Sequence, residues 1–318
     1  MSVGSLPPAG AAPLGARLAA FARDAVAAVS RGHTAYFYHL VKKTDGTVTE
    51  WVAATPPDIH LDAQPPTAFV DCSTWVHVAL SSVAPHHAAA LDATREDPLF
   101  NPPAGYIEAY DATNPAVPAR VPLRERMQPW ARANVASYFF AHVAGPANGF
   151  SRVSAITDLQ AGDLLAWSLG IYADPANPNA ATDPSLTPAK DTGHVVVVAG
   201  PAVPYPNSGE GWPNAYGLAT APGGQAHLAV YAVPVIDASD VPHADDSRTY
   251  RAPPEQAPPG SHAGGLGSGT LFFSIDASGA PQQFCFSDGS TTDEPFPFFP
   301  SAREATPQRV TIAAARPV

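Results

Sequence analysis

Three side chains of this sequence have the types that thiol chemistry requires, and they come in the order Cys72, His194, Asp237. A cysteine is a nucleophile only as its thiolate. It needs a base within hydrogen-bond reach, and the base needs a third group to hold its tautomer and orientation. Cys72 lies in Phe69-Val70-Asp71-Cys72-Ser73-Thr74-Trp75-Val76-His77-Val78-Ala79-Leu80. Asp, Ser and Thr cap helix N-termini. Trp75, Val76, Ala79, Leu80 and Val83 follow the spacing of an apolar helix face. The stretch therefore predicts a helix with Cys72 in its first turn, where free backbone N–H groups and the positive dipole end favour a thiolate. A buried, inert thiol is the competing reading.

The other two residues need strands to carry them. His194 opens Gly193-His194-Val195-Val196-Val197-Val198-Ala199-Gly200, and four consecutive Val bounded by Gly predict a strand buried on both faces. Ala226 to Ile236 predicts a later strand that Asp237 closes. If the two are antiparallel neighbours, the start of one lies beside the end of the other, which brings Asp237 to His194. His243, in His243-Ala244-Asp245-Asp246, is the alternative third residue. As metal ligands this loop is weak, and neither a metal nor another cofactor is expected. Asp71 reads as the helix cap, turned away from the thiol, because a facing carboxylate would raise the thiol pKa. Gly264-Gly265-Leu266-Gly267-Ser268-Gly269 precedes a strand rather than a helix, which argues against a phosphate cradle. Cys285, between Phe284 and Phe286, reads as structural.

The rest of the chain must position these residues. A hydrophobic content of 45% suffices for a sizeable core, and 37 Pro with only 14% charged residues predict long ordered loops. Leu14 to Val29 predicts a first helix, interrupted by Arg17, Arg23 and Asp24 and so unlike a signal-peptide core. A cytoplasmic protein and a secreted or periplasmic one with its signal removed both stay open. Ala35 to Val41 predicts a strand, Val48 to Val52 a hairpin partner after the turn at Asp45-Gly46, and the Cys72 helix ends near Pro85. Leu123 to Val143 reads as a helix, and Leu164 to Trp167 as a buried strand after the Gly162-Asp163 turn. Gly269 to Asp276 and Pro281 to Ser287 read as a hairpin, and Val310 to Ala314 as a last strand. Helices first and antiparallel strands later is the α+β pattern. The expected organisation is a flexible tail over 1–13 and one domain over 14–318, with an insertion at about 92–155, irregular over 92–120, and extra C-terminal strands. A net charge of −11 without a Lys/Arg cluster argues against nucleic acid. No apolar run reaches membrane-span length. Two Cys make no disulfide framework, and both are expected as thiols.

Asp71-Cys72-Ser73 before an apolar helix resembles the D-C-S signature of NlpC-type papain-like cysteine peptidases, the bacterial cell-wall peptidases. Leu159-Gln160-Ala161-Gly162-Asp163-Leu164-Leu165 resembles their L-x-x-G-D-L strand opening. Gly193-His194-Val195, continued to Gly200, resembles their histidine strand. The three follow the family's order and cover about residues 68–200. Cys72-Ser73-Thr74-Trp75 is also similar to the related CHAP amidases. The Gly-Gly that commonly precedes the Cys motif is absent, Thr74 stands where the family has Gly, Val197 where it often has Tyr, and 122 residues separate Cys72 from His194. The resemblance implies a helix packed on an antiparallel sheet with loop-rich insertions. It implies a Cys72 nucleophile, a His194 base and a polar third residue, which maps onto Asp237. It also implies a Tyr lining the site, Tyr36 or Tyr38, beside Asp71 and Ser73. The implied activity is hydrolysis of peptide amides in cell-wall fragments, by a monomer. Two other readings of the same residues are transglutaminase-like acyl transfer and a non-catalytic binding module.

Overall fold

The computed structural model describes residues 12–29, 33–37, 40–45, 48–53, 58–97, 106–109, 119–122, 130–168, 193–205, 229–248, 253–287 and 310–318. In chain order, α1 (Leu14–Val29) is followed by β1 (His33–Tyr36), β2 (Leu40–Asp45), β3 (Val48–Ala53), β4 (Asp58–His60) and β5 (Thr67–Val70). Next come α2 (Cys72–Val83), α3 (Pro85–Ala93), β6 (Tyr106–Ala109), β7 (Ala119–Pro122) and α4 (Ala133–Tyr138), which continues as a π-helical turn over Phe139–Val143. The remaining strands are β8 (Phe150–Val153), β9 (Leu164–Ser168), β10 (His194–Val198), β11 (Val203–Pro204), β12 (Ala229–Ser239), β13 (Gly265–Ile275), β14 (Pro281–Cys285) and β15 (Thr311–Pro317).

The principal sheet has the order β14-β13-β12-β10-β9-β15-β8, antiparallel throughout, with β11 added on β12. β15, from the far end of the chain, lies between β9 and β8. One face carries α1, α2 and α4, whose Leu18, Trp75, Leu80, Val135 and Phe139 enclose a core with Val195 and Val197. The opposite face carries a second core of Trp167, Val196, Val198, Val235, Phe273 and Phe284. The four Val of β10 thus alternate between two cores, as strand pleating requires. Each fully buried Val stabilises the sheet by roughly 1.5–3 kcal/mol. A helical layer on an antiparallel sheet is the α+β arrangement expected from the sequence. A smaller sheet, β1-β5-β4, delivers the chain into α2, and β2-β3-β7-β6 forms a third.

Several expectations are corrected. The aromatic run from Ala35 is not one strand: β1 and β2 belong to different sheets. The Cys72 helix ends at Val83, near Pro85 as expected, and Pro85 itself starts α3, because proline fits the first helical turn. Residues 92–120, expected to be irregular, carry strand β6 and the start of β7. Farther along the insertion, Ala133, Val135, Phe139, Phe140 and Phe150 are core residues. Of the helix expected over Leu123 to Val143, the part from Ala133 onward is helical. Residues 123–129, and 1–11 of the expected tail, lie outside the described residues. Asp237 does not close its strand: β12 runs on to Ser239. The Gly-rich run does not precede β13 but forms its first half.

Candidate active site

The chain enters α2 from β5, and Asp71 caps the helix as expected. Its Oδ1 accepts the Thr74 N–H at 2.7 Å and the Ser73 hydroxyl at 2.9 Å. Those bonds turn the carboxylate along the helix start, and they fix Cys72 as the first helical residue. Trp75, Val76, Ala79 and Leu80 are buried in the core, and α2 packs on β10 and β12. Cys72 therefore stands at the edge of a rigid element, 6% exposed and not in a disulfide.

His194 is the first residue of β10, paired with Trp167 of β9. Gly193, just before it, has φ +112, and a Cβ there would lie 1.8 Å from the Trp167 carbonyl oxygen. Only glycine allows this close entry into the strand. The His194 ring is walled by Trp167 at 5.1 Å and Phe286 at 5.6 Å between ring centroids.

The pairing of Val197 with Ile236 sets Asp237 across from Val196, diagonal to His194 and, by alternation, on the same face. His194 Nε2 lies 2.5 Å from Asp237 Oδ2. That leaves Nδ1 for the sulfur, and His194 also hydrogen-bonds Cys72. Burial alone would push the His194 pKa down. Negative charge at the Cys72 sulfur, with the hydrogen bonds to Asp237 and Cys72, outweighs it and raises the pKa to about 10. Burial likewise opposes the charge on Asp237, yet the Arg248 guanidinium, the neighbouring His243 ring and the two imidazole hydrogen bonds hold its carboxyl well below the usual range. The geometry thus sets one imidazole between the Cys72 sulfur and a buried carboxylate.

The structure brings together Cys72, His194, Asp237 and His243. It places both candidates for the third position at the site: Asp237 touches His194, and His243 Nε2 lies 3.0 Å from the same Oδ2. His194, Asp237 and His243 have the residue types and closeness of metal ligands. Their ring nitrogens, however, point at one carboxylate oxygen at hydrogen-bonding distance, and Arg248 takes the other oxygen. Ser73 is turned to Asp71 rather than toward a substrate. Tyr36 is buried on β1 beside Val70, two residues before Cys72. Tyr38 lies outside the described residues.

Arg248 was not legible as a site residue. Its Nη2 donates to Asp237 Oδ1 and to the Asp237 carbonyl oxygen at 2.8 Å, and its Nε to the Gly265 carbonyl oxygen at 2.7 Å. The signal available was the Gly-rich run itself. No protein-family model, curated protein or solved structure matches the chain.

Proposed function

We propose that this protein is a papain-like cysteine hydrolase that cleaves a peptide amide. The observation that carries the reading is one imidazole held between the Cys72 thiol and Asp237 Oδ2, the latter at 2.5 Å. Cys72 attacks the amide carbonyl as the thiolate, forming a C–S bond. Its backbone N–H, at the start of α2, stabilises the oxyanion. His194, as imidazolium, gives its Nδ1 proton to the leaving nitrogen as the C–N bond breaks. The now neutral ring accepts a proton from the water that attacks the thioester, and the thiolate departs. Asp237 stays ionised and holds Nε2–H throughout. The order of the three sequence motifs supports a bacterial cell-wall stem peptide as the substrate class.

The test is alkylation of Cys72 by iodoacetamide against pH, with Cys285 replaced by Ser, in otherwise unaltered protein and in His194→Ala. The expected parent profile shows substantial reactivity well below the ~8.5 of an ordinary thiol, and His194→Ala loses it. Equal, ordinary profiles in both proteins refute the reading. With a low-pH profile in hand, cell-wall fragments are the substrates to assay, and Cys72→Ala must lack their hydrolysis.

A further inference from the structure

Asp237 carries more partners than a triad needs. Oδ2 faces His194 and His243, and Oδ1 faces Arg248. His243 is 2% exposed, and its Nδ1 lies 2.9 Å from the Val241 carbonyl oxygen while Nε2 faces the carboxylate. Both nitrogens face acceptors, so both carry hydrogens in this arrangement. Asp246 locks the far side. Its Oδ1 accepts from Arg248 Nη1 at 2.9 Å, and its Oδ2 accepts the His243 backbone N–H at 2.9 Å. Asp245 makes this tight return with φ +52, a conformation that Asp adopts more readily than bulkier residues.

The neighbouring strand has the shape to receive both side chains. Gly265, Gly267 and Gly269 alternate along one face of β13, and Gly267 pairs with Asp237. A Cβ at Gly267 would meet the Arg248 Cγ at 2.4 Å, and one at Gly269 the His243 Cβ at 2.6 Å. The glycine run is a trough with no side chains, and His243 and Arg248 lie in it.

We infer that His243 and Arg248 are positioning residues that orient Asp237, and through it hold the His194 ring in line with the Cys72 thiol. This rests on the cysteine-hydrolase reading. Neither residue touches the reacting atoms. Their work is to fix a buried carboxylate that could otherwise rotate about its Cα–Cβ and Cβ–Cγ bonds. From Cys72 through His194 and Asp237 to His243 and Arg248, and on to Asp246, each side chain fixes the next.

The experiment is the Cys72 alkylation profile in His243→Leu, His243→Gln and Arg248→Lys, each with Cys285→Ser. His243→Leu removes the donor to Oδ2, and reactivity near pH 6 falls about tenfold or more, the size expected for loss of one positioning bond. His243→Gln returns an N–H donor and recovers most of that loss. Arg248→Lys keeps the charge but not the planar fork, and its profile moves toward that of His194→Ala. A folded His243→Leu or Arg248→Lys with the parent profile overturns the inference while leaving the dyad standing. An ordinary profile in the parent instead sinks the hydrolase reading itself. If the substituted proteins do not fold, NMR of the unsubstituted protein decides. Two hydrogen-bonded ring N–H protons on His243 are expected, and a ring with one proton overturns the inference.

Discussion

Helix α2 takes part in two constellations with nearly the same chemical vocabulary, and only one of them encloses a fully buried carboxylate. At its start, Cys72, His194 and Asp237 converge. Further along, Ser81 Oγ lies 3.4 Å from His77 Nε2, and His77 Nδ1 lies 3.0 Å from Asp92 Oδ2. By residue type the second is a Ser-His-Asp set. Its surroundings differ in every respect that matters for chemistry. Ser81 is inside a helix, where backbone N–H groups are bonded to the preceding turn and offer no oxyanion donors. His77 stacks on Trp130 at 5.3 Å, and Asp92 Oδ1 accepts the Ala131 N–H at 2.7 Å. That cluster ties α2, α3 and the chain entering α4 together. Proximity of residue types is common. A carboxylate enclosed by two imidazoles and a guanidinium, in space cleared by glycines, is what separates the first cluster from the second.

The comparison is broken most directly by activity. Cys72→Ala is expected to lose hydrolysis by at least about 10³-fold, as removal of a nucleophile does, whereas Ser81→Ala keeps parent turnover in the same assay. Turnover that survives Cys72→Ala but not Ser81→Ala would reverse the assignment. Asp237→Ala leaves the buried Arg248 with Asp246 as its one carboxylate among the described residues and strips the shared acceptor from His194 and His243, and is expected to destabilise by about 3–5 kcal/mol in chemical denaturation. Asp92→Ala, in a partly exposed cluster, should cost about 1 kcal/mol. Equal losses would mean that the two clusters are the same kind of structural tie. Gly269→Ala drives a methyl into His243 and is expected to cost about 1–3 kcal/mol while lowering Cys72 reactivity.

Titration separates the clusters more gently. His194 has a raised folded pKa, so its contribution to stability is fully present below the unfolded value near 6.5 and is lost as pH rises through about 10. Stability in chemical denaturation, measured from about pH 7 to 9.5, should fall more steeply in the parent than in His194→Ala, by up to about 1.4 kcal/mol per pH unit, and the difference should level off above about pH 10. Asp237 has a lowered folded pKa, so its contribution is present above the unfolded carboxyl value and survives until pH falls well below it. His77→Ala should leave the alkaline slope unchanged. A slope that vanishes in His77→Ala would assign the titration to the wrong cluster.

What the sequence revealed and what it concealed follow from one difference. Periodic apolar patterns specify elements locally, so α1 falls at Leu14–Val29 and the Val run at β10. The Asp71 cap was legible because a cap is satisfied within three residues. Asp237 and the Gly-rich run misled for a complementary reason. Acid ordinarily ends a strand and glycine ordinarily marks a turn, because each weakens pairing on its own. Here both stand mid-strand because each serves the other's neighbours: the acid has three buried basic partners, and the glycines clear the room that two of them occupy. Arg248 could not be found from spacing. Its role depends on a loop returning across two strands.

β15 holds a place in the sheet that has a consequence for how the protein is made. Its residues join β9 to β8, and Arg316 donates to both carboxylate oxygens of Asp163, at 2.8 and 2.9 Å, in the turn that opens β9. During synthesis these residues leave the ribosome after every other described element. Until they do, β9 presents an open edge of backbone donors and acceptors directly beside the strand that carries His194. A nascent or C-terminally clipped chain therefore cannot complete the sheet under its own histidine.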